Sequence, residues 1–247
     1  MLINCPTFHI QTVVTHLPKL RQIDMKFKIS EYPSSYLAIE FNENEKLITE
    51  KGSLIYCDGE YTFENKIEAK NYKNWIAKIF GGKSLTYNIY TAKENLKMAL
   101  STKDNSEIFG IEISKENPIL FEPNLHFART IDLDIKLERK DWKSTLNDGL
   151  KLKTIGNGKL FLKGYGKIIE QEINSEKPIF VDEDALIAFE EKLDIKTISR
   201  GVKELITSGE GFLFSIKGKG KIWIQTREKG EYSSSGGILD GIFSFMK

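Results

Sequence analysis

Residues able to do chemistry are few and scattered along this chain of 247 residues. The three histidines, His9, His16 and His126, form no His-x-His pair and have no glutamate at a metal-ligand spacing, so neither a metal nor any other cofactor is expected. His126 lies in an alternating stretch where packing is the ordinary role of an imidazole. Ser233, Ser234 and Ser235 belong to a Gly/Ser tail, and no serine occupies a strand-to-helix elbow. Asp182, Glu183 and Asp184 have the type and proximity of a paired-carboxylate or cation site. Aspartates also favour turns through local backbone hydrogen bonds, and a solvated turn is the expected structure there. No catalytic residue emerges, and the protein is expected not to be an enzyme.

One constellation remains. Lys159, Phe161 and Lys163 in "GKLFLK" match Lys221, Trp223 and Gln225 in "GKIWIQ", with Arg227 close behind. Basic residues interleaved with aromatics can neutralise phosphates and stack bases. They can equally keep exposed strands soluble while the aromatics pack on a neighbouring subunit or on the N-terminal arm. Lys plus Arg number 36 against 35 Asp plus Glu, a net charge of +1, so no global field draws the chain to nucleic acid or an anionic membrane. The strip is therefore a candidate interaction surface for protein, with nucleic-acid binding as the alternative and a small-ligand barrel third.

The elements that must carry these residues are revealed by internal repetition. Residues 106–136 align without a gap on 166–196, and 149–163 on 211–225; a more worn copy begins where "AIEFNENEKLI" (38–48) sits on "GIEISKENPIL" (110–120). Phe212, Phe214, Ile216, Ile222 and Ile224 share one face, like Leu150, Leu152, Thr154, Leu160 and Leu162, and that face is the expected core. Gly156 and Gly158, like Gly218 and Gly220, are expected to make the tight turn of a hairpin. A phosphate-binding glycine loop would need a following helix, and "KIWIQTR" alternates as a strand. "PIFVDEDALIAFEE" reads as strand, turn, strand, because its partner segment carries Pro123 where a helix would continue. One helix is predicted, with Ala69, Tyr72, Ile76, Ile79 and Phe80 near one face before Gly81-Gly82.

The expected fold is mainly β, a closed or two-layered barrel or sandwich of three pseudo-repeats with at most one or two short helices. Residues 1–30 read as an arm, 31–227 as one β domain with repeats at about 36–100, 106–163 and 166–227, and 228–247 as a Gly/Ser linker and apolar tail. In that tail Ile238, Leu239, Ile242, Phe243 and Phe245 lack the basic face of an interfacial helix, so docking on protein is expected. Cys5 and Cys57 read as free thiols of a reducing compartment. No signal segment and no apolar window of about 18 residues occurs, so a cytoplasmic protein without stable membrane insertion is expected. Unpaired sheet edges and outward apolar residues favour a homo-oligomer.

Several blocks resemble the altered-inheritance-of-mitochondria family of TRAP-like (tryptophan RNA-binding attenuator protein-like) β proteins. They are Glu45, Glu50, Gly52, Ser53 and Leu54; Val181, Asp182, Leu186, Ala188 and Phe189; and Gly209, Glu210 and Gly211. The first hairpin departs from the family in reading Gly82-Lys83-Ser84. The resemblance implies a TRAP-like β fold and no established catalytic residues. It does not carry tryptophan or RNA binding with it, because fold and function separate readily. A scaffold or protein-interaction module is the function expected.

Overall fold

A computed structural model describes residues 25–30, 34–67, 86–104, 106–139, 150–198 and 213–228. The helix expected near residues 69–82, the tail from residue 229, Cys5, His9, His16 and the Gly209–Gly211 block lie outside the described residues. What is described is almost all strand, and the one helix among these residues is a 3-10 turn at Pro123–Leu125. Pro123 opens that turn, as expected of a residue whose ring forbids a continuing ladder.

After β1 (Lys26–Ser30), the strands fall into three sets of six. The first is β2 (Tyr36–Phe41), β3 (Lys46–Glu50), β4 (Leu54–Asp58), β5 (Tyr61–Ile67), β6 (Thr86–Ala92) and β7 (Leu96–Ser101). The second is β8 (Ser106–Ile113), β9 (Ile119–Phe121), β10 (His126–Thr130), β11 (Asp134–Arg139), β12 (Leu150–Ile155) and β13 (Gly158–Tyr165). In the third, β14 (Ile168–Asp182) and β17 (Leu213–Gln225) each run through two positions, with β15 (Leu186–Glu190) and β16 (Asp194–Ile198) between. Every pairing is antiparallel and recurs from set to set. The first strand pairs the sixth, the sixth pairs the third, and the fifth lies between the second and fourth.

Adjacent repeats are joined by their sheets. The second strand of one repeat pairs the third of the next, β3 with β10 and β9 with β15. Each junction sheet thus runs through half of one repeat and half of the next, as in the order β5-β6-β3-β10-β13-β8. The third strand carries the same register shift in all three repeats, between Leu54 and Tyr56, His126 and Ala128, and Leu186 and Ala188. Such a bulge turns an extra side chain, Ile55, Phe127 or Ile187, off the ladder.

Two local expectations are corrected. The Gly-x-Gly stretches are corners and not hairpins: β12 and β13 pair with different partners, and β17 runs unbroken across Gly218 and Gly220. Gly156 and Gly218 supply positive φ for these bends, at +94° and +110°, while Gly220 does not adopt positive φ. Second, burial is two-sided. The outward residues expected at 161 and 223 are as buried as Leu160 and Ile222, because β13 and the second half of β17 are covered on both faces there, whereas β7 is buried on one face only. "PIFVDEDALIAFEE" does form strand, turn, strand, with Asp184 N–H donating to Asp182 Oδ1 at 2.8 Å.

Three cores follow from this arrangement. The first holds Leu37, Ile39, Leu47, Tyr90 and Met98, and takes in Ile108, Phe127, Ala128 and Phe161 from the second repeat. The second holds Ile111, Ile119, Phe121, Leu152 and Leu160, and takes in Ile187, Ala188, Trp223 and Ile168 from the third. The last gathers Ile173, Phe189, Phe214, Ile216 and Ile222, with Ile179, Val181 and Ile224 only partly covered.

Candidate functional site

The Lys/aromatic strip is dispersed by the fold. Phe161 is buried with its ring 5.0 Å from that of Phe27 on β1, so the N-terminal arm is what covers it. Trp223 is buried between β14 and β15, and its indole N–H donates to Glu170 Oε2 at 3.1 Å. Lys159 pairs with Glu112 at 2.7 Å, Lys163 with Glu50 at 2.8 Å, and Lys221 with Glu170. The Glu170 contact raises the Lys221 pKa. Arg227 is exposed and follows β17. The structure brings Lys221 and Trp223 together on one carboxylate, and assigns Lys163 to a separate, buried junction.

That junction, between the first two repeats, concentrates the molecule's buried polarity. The Tyr165 hydroxyl donates to Asp104 Oδ2 at 2.8 Å. Burial and that bond hold the Tyr165 phenol far above its ordinary pKa. Burial alone would raise the Asp104 carboxyl, but hydrogen bonds from Ser106 and Tyr165 outweigh it and lower the pKa. Arg129 is fully buried, donating from Nε to the Leu133 carbonyl at 3.1 Å and lying 5.0 Å from the Tyr87 ring centre. Its Nη1 meets His126 Nε2 at 3.0 Å, and burial, then the charges of Arg129 and Lys163, push the His126 pKa well below the ordinary value. The imidazole is therefore neutral, accepts at Nε2, and leaves Nδ1 buried without a partner. Each charge here is tied to a structural partner, which suits locking two repeats together. Among the described residues no group of three or more metal-ligating side chains assembles. Burial also raises the Cys57 pKa, with Asp58 adding to it, so the thiol is a poor nucleophile.

The exposed apolar residues mark another place. Ile55 is 62% exposed, whereas its counterparts Phe127 and Ile187 are 0% and 2%. Phe180 is 58% exposed, against 1% for Ile48 and 0% for Leu120 at the same position. Ile55 lies on β4 and Phe180 on the second half of β14, which have no further strand beside them among the described residues. Tyr56 and Tyr36 border a groove of about 470 Å³ on the same sheet as β4, with Ala38, Ile39, Met98 and Ala99. Sequence reasoning missed these residues. The signal was present in the repeat alignments: that of 38–48 on 110–120, carried forward, places Ile55 on Phe127, and that of 106–136 on 166–196 places Phe180 on Leu120, positions that are core elsewhere.

The family model for mitochondrial biogenesis AIM24 matches residues 27–227. The chain belongs to the AIM24 family. No curated protein matches it. A Streptococcus pyogenes protein of known crystal structure shares the fold, with a TM-score of 0.64 at 18% identity over 90% of this chain and 98% of that one. The likeness to that protein is one of architecture. The AIM24 match covers all three repeats, including both exposed edges. Among the described residues no helix is long and apolar enough to cross a membrane.

Proposed function

We propose that this AIM24-family protein is a non-catalytic β-repeat scaffold that acts by binding protein along its sheet edges, in the cytoplasm. One observation carries the reading: Ile55 and Phe180, at positions that are apolar and buried in the other repeats, stand exposed on strands whose outer edges have no partner strand among the described residues. Such edges present unmet N–H and C=O groups that a partner strand can pair, with side-chain pockets adding selectivity. The buried polar groups support the same reading, since Lys163 and Arg129 link strands of two repeats through Glu50 and the Tyr87 ring, and Tyr165 is bonded to Asp104.

Nucleic-acid binding through the Lys/aromatic strip has less support, because Phe161 and Trp223 would have to leave the core to stack on bases. A test is purification of the intact chain from its native source, with Ile55→Lys and Phe180→Lys as controls. A stoichiometric protein, whether another polypeptide or the chain itself, that is lost with either substitution is expected. A stoichiometric small molecule in the native mass spectrum, or recovery of the same protein with both variants, refutes the reading.

A further inference from the structure

We infer that the partner of these edges is a second copy of this chain, docked head to tail so that β4 of one copy pairs with the second half of β14 of the next. The inference rests on the scaffold reading and names its partner. Its basis is that the molecule already contains the same joint twice. In both internal junctions the sheet passes through the fourth, fifth and second strands of one repeat into the third, sixth and first of the next. Among the described residues the two halves of a third such sheet are present and unjoined. One is β16, β17 and β14, ending at the β14 edge; the other is β4, β7 and β2, beginning at the β4 edge.

The side chains agree with the backbone. Opposite residues on the third and sixth strands are Ala128 with Phe161 in the second repeat and Ala188 with Trp223 in the third, one small and one aromatic. The first repeat has Tyr56 opposite Ala99, the same combination with the strands exchanged. In the interior, that pair fills the core of the preceding repeat, together with the bulge residue and an isoleucine of the first strand. In the first repeat the corresponding residues are Tyr56, Ala99, Ile55 and Tyr36, and the three large ones are exposed. Among the described residues they have no preceding repeat to enter. The last core has the opposite deficiency: Ile179, Val181 and Ile224 are half-covered, although Ile119, Phe121 and Leu162 at the same positions are buried. A second copy satisfies both at once.

The register is defined by the internal joints. Ala188 opposes Phe121 and Phe189 opposes Leu120, so Tyr56 of one copy opposes Val181 of the next and Cys57 opposes Phe180. Glu122 N–H donates to the Ile187 carbonyl at 3.3 Å and Glu191 N–H to the Pro118 carbonyl at 2.9 Å, so Ala188 and Phe121 form a pair without mutual hydrogen bonds. Tyr56 and Val181 inherit that geometry, with Cα atoms roughly 4.5 Å apart, within disulfide range. The contact is heterologous, using different surfaces on each copy, so assembly continues into a ring where the rotation closes and into an open filament where it does not.

Light scattering on the full chain at tens of micromolar tests the proposal. The wild type is expected at a multiple of 28.3 kDa, and Ile55→Lys and Phe180→Lys each at the single-chain mass. Because the Ile55→Lys protein keeps a sound β14 edge and the Phe180→Lys protein a sound β4 edge, their equimolar mixture is expected to form a species of two chains and no larger. In a Cys5→Ser, Cys57→Ser background, mixed Tyr56→Cys and Val181→Cys proteins are expected to crosslink on oxidation. Circular dichroism of each variant establishes that it is folded. A folded wild type of single-chain mass overturns the inference. So does a mixture that stays at single-chain mass, or a Tyr56→Cys, Val181→Cys double variant that crosslinks only within itself. Should the single-chain mass be found while a different protein is held in an edge-dependent way, the self-pairing falls and the scaffold reading stands; edge-independent behaviour removes both.

Discussion

Replacement of Trp223 by alanine separates a packing role from a nucleic-acid role most directly. Its side chain is buried in the second core among Ile187, Ala188 and Leu162, and its indole N–H reaches Glu170 at 3.1 Å. Truncating a buried Trp to Ala costs about 3–5 kcal/mol through lost transfer energy and the cavity left behind. For a chain of this length each kcal/mol lowers the melting temperature by about 2–4 °C, so a fall of about 6–20 °C is expected. Trp223→Phe keeps most of the buried area and loses the charge-assisted bond, and is expected to cost about 1.5–3 kcal/mol. Thermal and urea unfolding followed by far-ultraviolet circular dichroism would measure both. Fluorescence anisotropy with mixed-sequence RNA at physiological salt, run in parallel, is expected to show no binding tighter than about 10 µM for any of the three proteins. Unfolding of Trp223→Ala within about 1 kcal/mol of the wild type, accompanied by loss of a submicromolar RNA affinity, would refute the packing argument.

Other expectations follow from the same coordinates. Lys163→Met leaves Glu50 without its 2.8 Å partner at the first junction and is expected to cost about 1–3 kcal/mol, part of which a Glu50→Gln, Lys163→Met double variant recovers in urea unfolding. His126 is buried neutral with its folded pKa below the unfolded value of about 6.5, so its contribution is present above that pH and is lost as pH falls. Stability should therefore drop by up to about 1.4 kcal/mol per pH unit below about 6.5, until the folded pKa is reached. His126→Leu, the residue type found at 54 and 186, should flatten this acid slope; an unchanged slope would show that other groups cause it. Gly158→Ala drives a Cβ into Thr130 and to 2.9 Å from Leu133 Cβ, whereas at Gly220 the nearest atom, at 2.8 Å, is the movable Glu190 carboxylate. Thermal melts should show the larger loss for Gly158→Ala, by about 1–3 kcal/mol.

Much of this protein was legible without coordinates because repetition doubles as a structural measurement. Alternation marked the strands, Pro123 excluded a helix at 182–192 by analogy, and the offset alignments placed Ile48, Leu120 and Phe180 in one column before any pairing was known. A period of two, however, records only that successive side chains face opposite ways; it does not record whether one face or both is covered. That depended on β1 lying over Phe161 and on the sheets passing from repeat to repeat, contacts between residues far apart in the chain. Glycine pairs likewise signal that the backbone turns, yet whether it folds back on itself or crosses to another sheet is set by which strands lie beside β12, β13 and β17. The last distinction is the one that matters for function. Ile55 and Phe127, or Phe180 and Leu120, have the same local pattern, and only the tertiary structure separates them, because two positions at the ends of a row of repeats have no neighbouring repeat among the described residues to cover them.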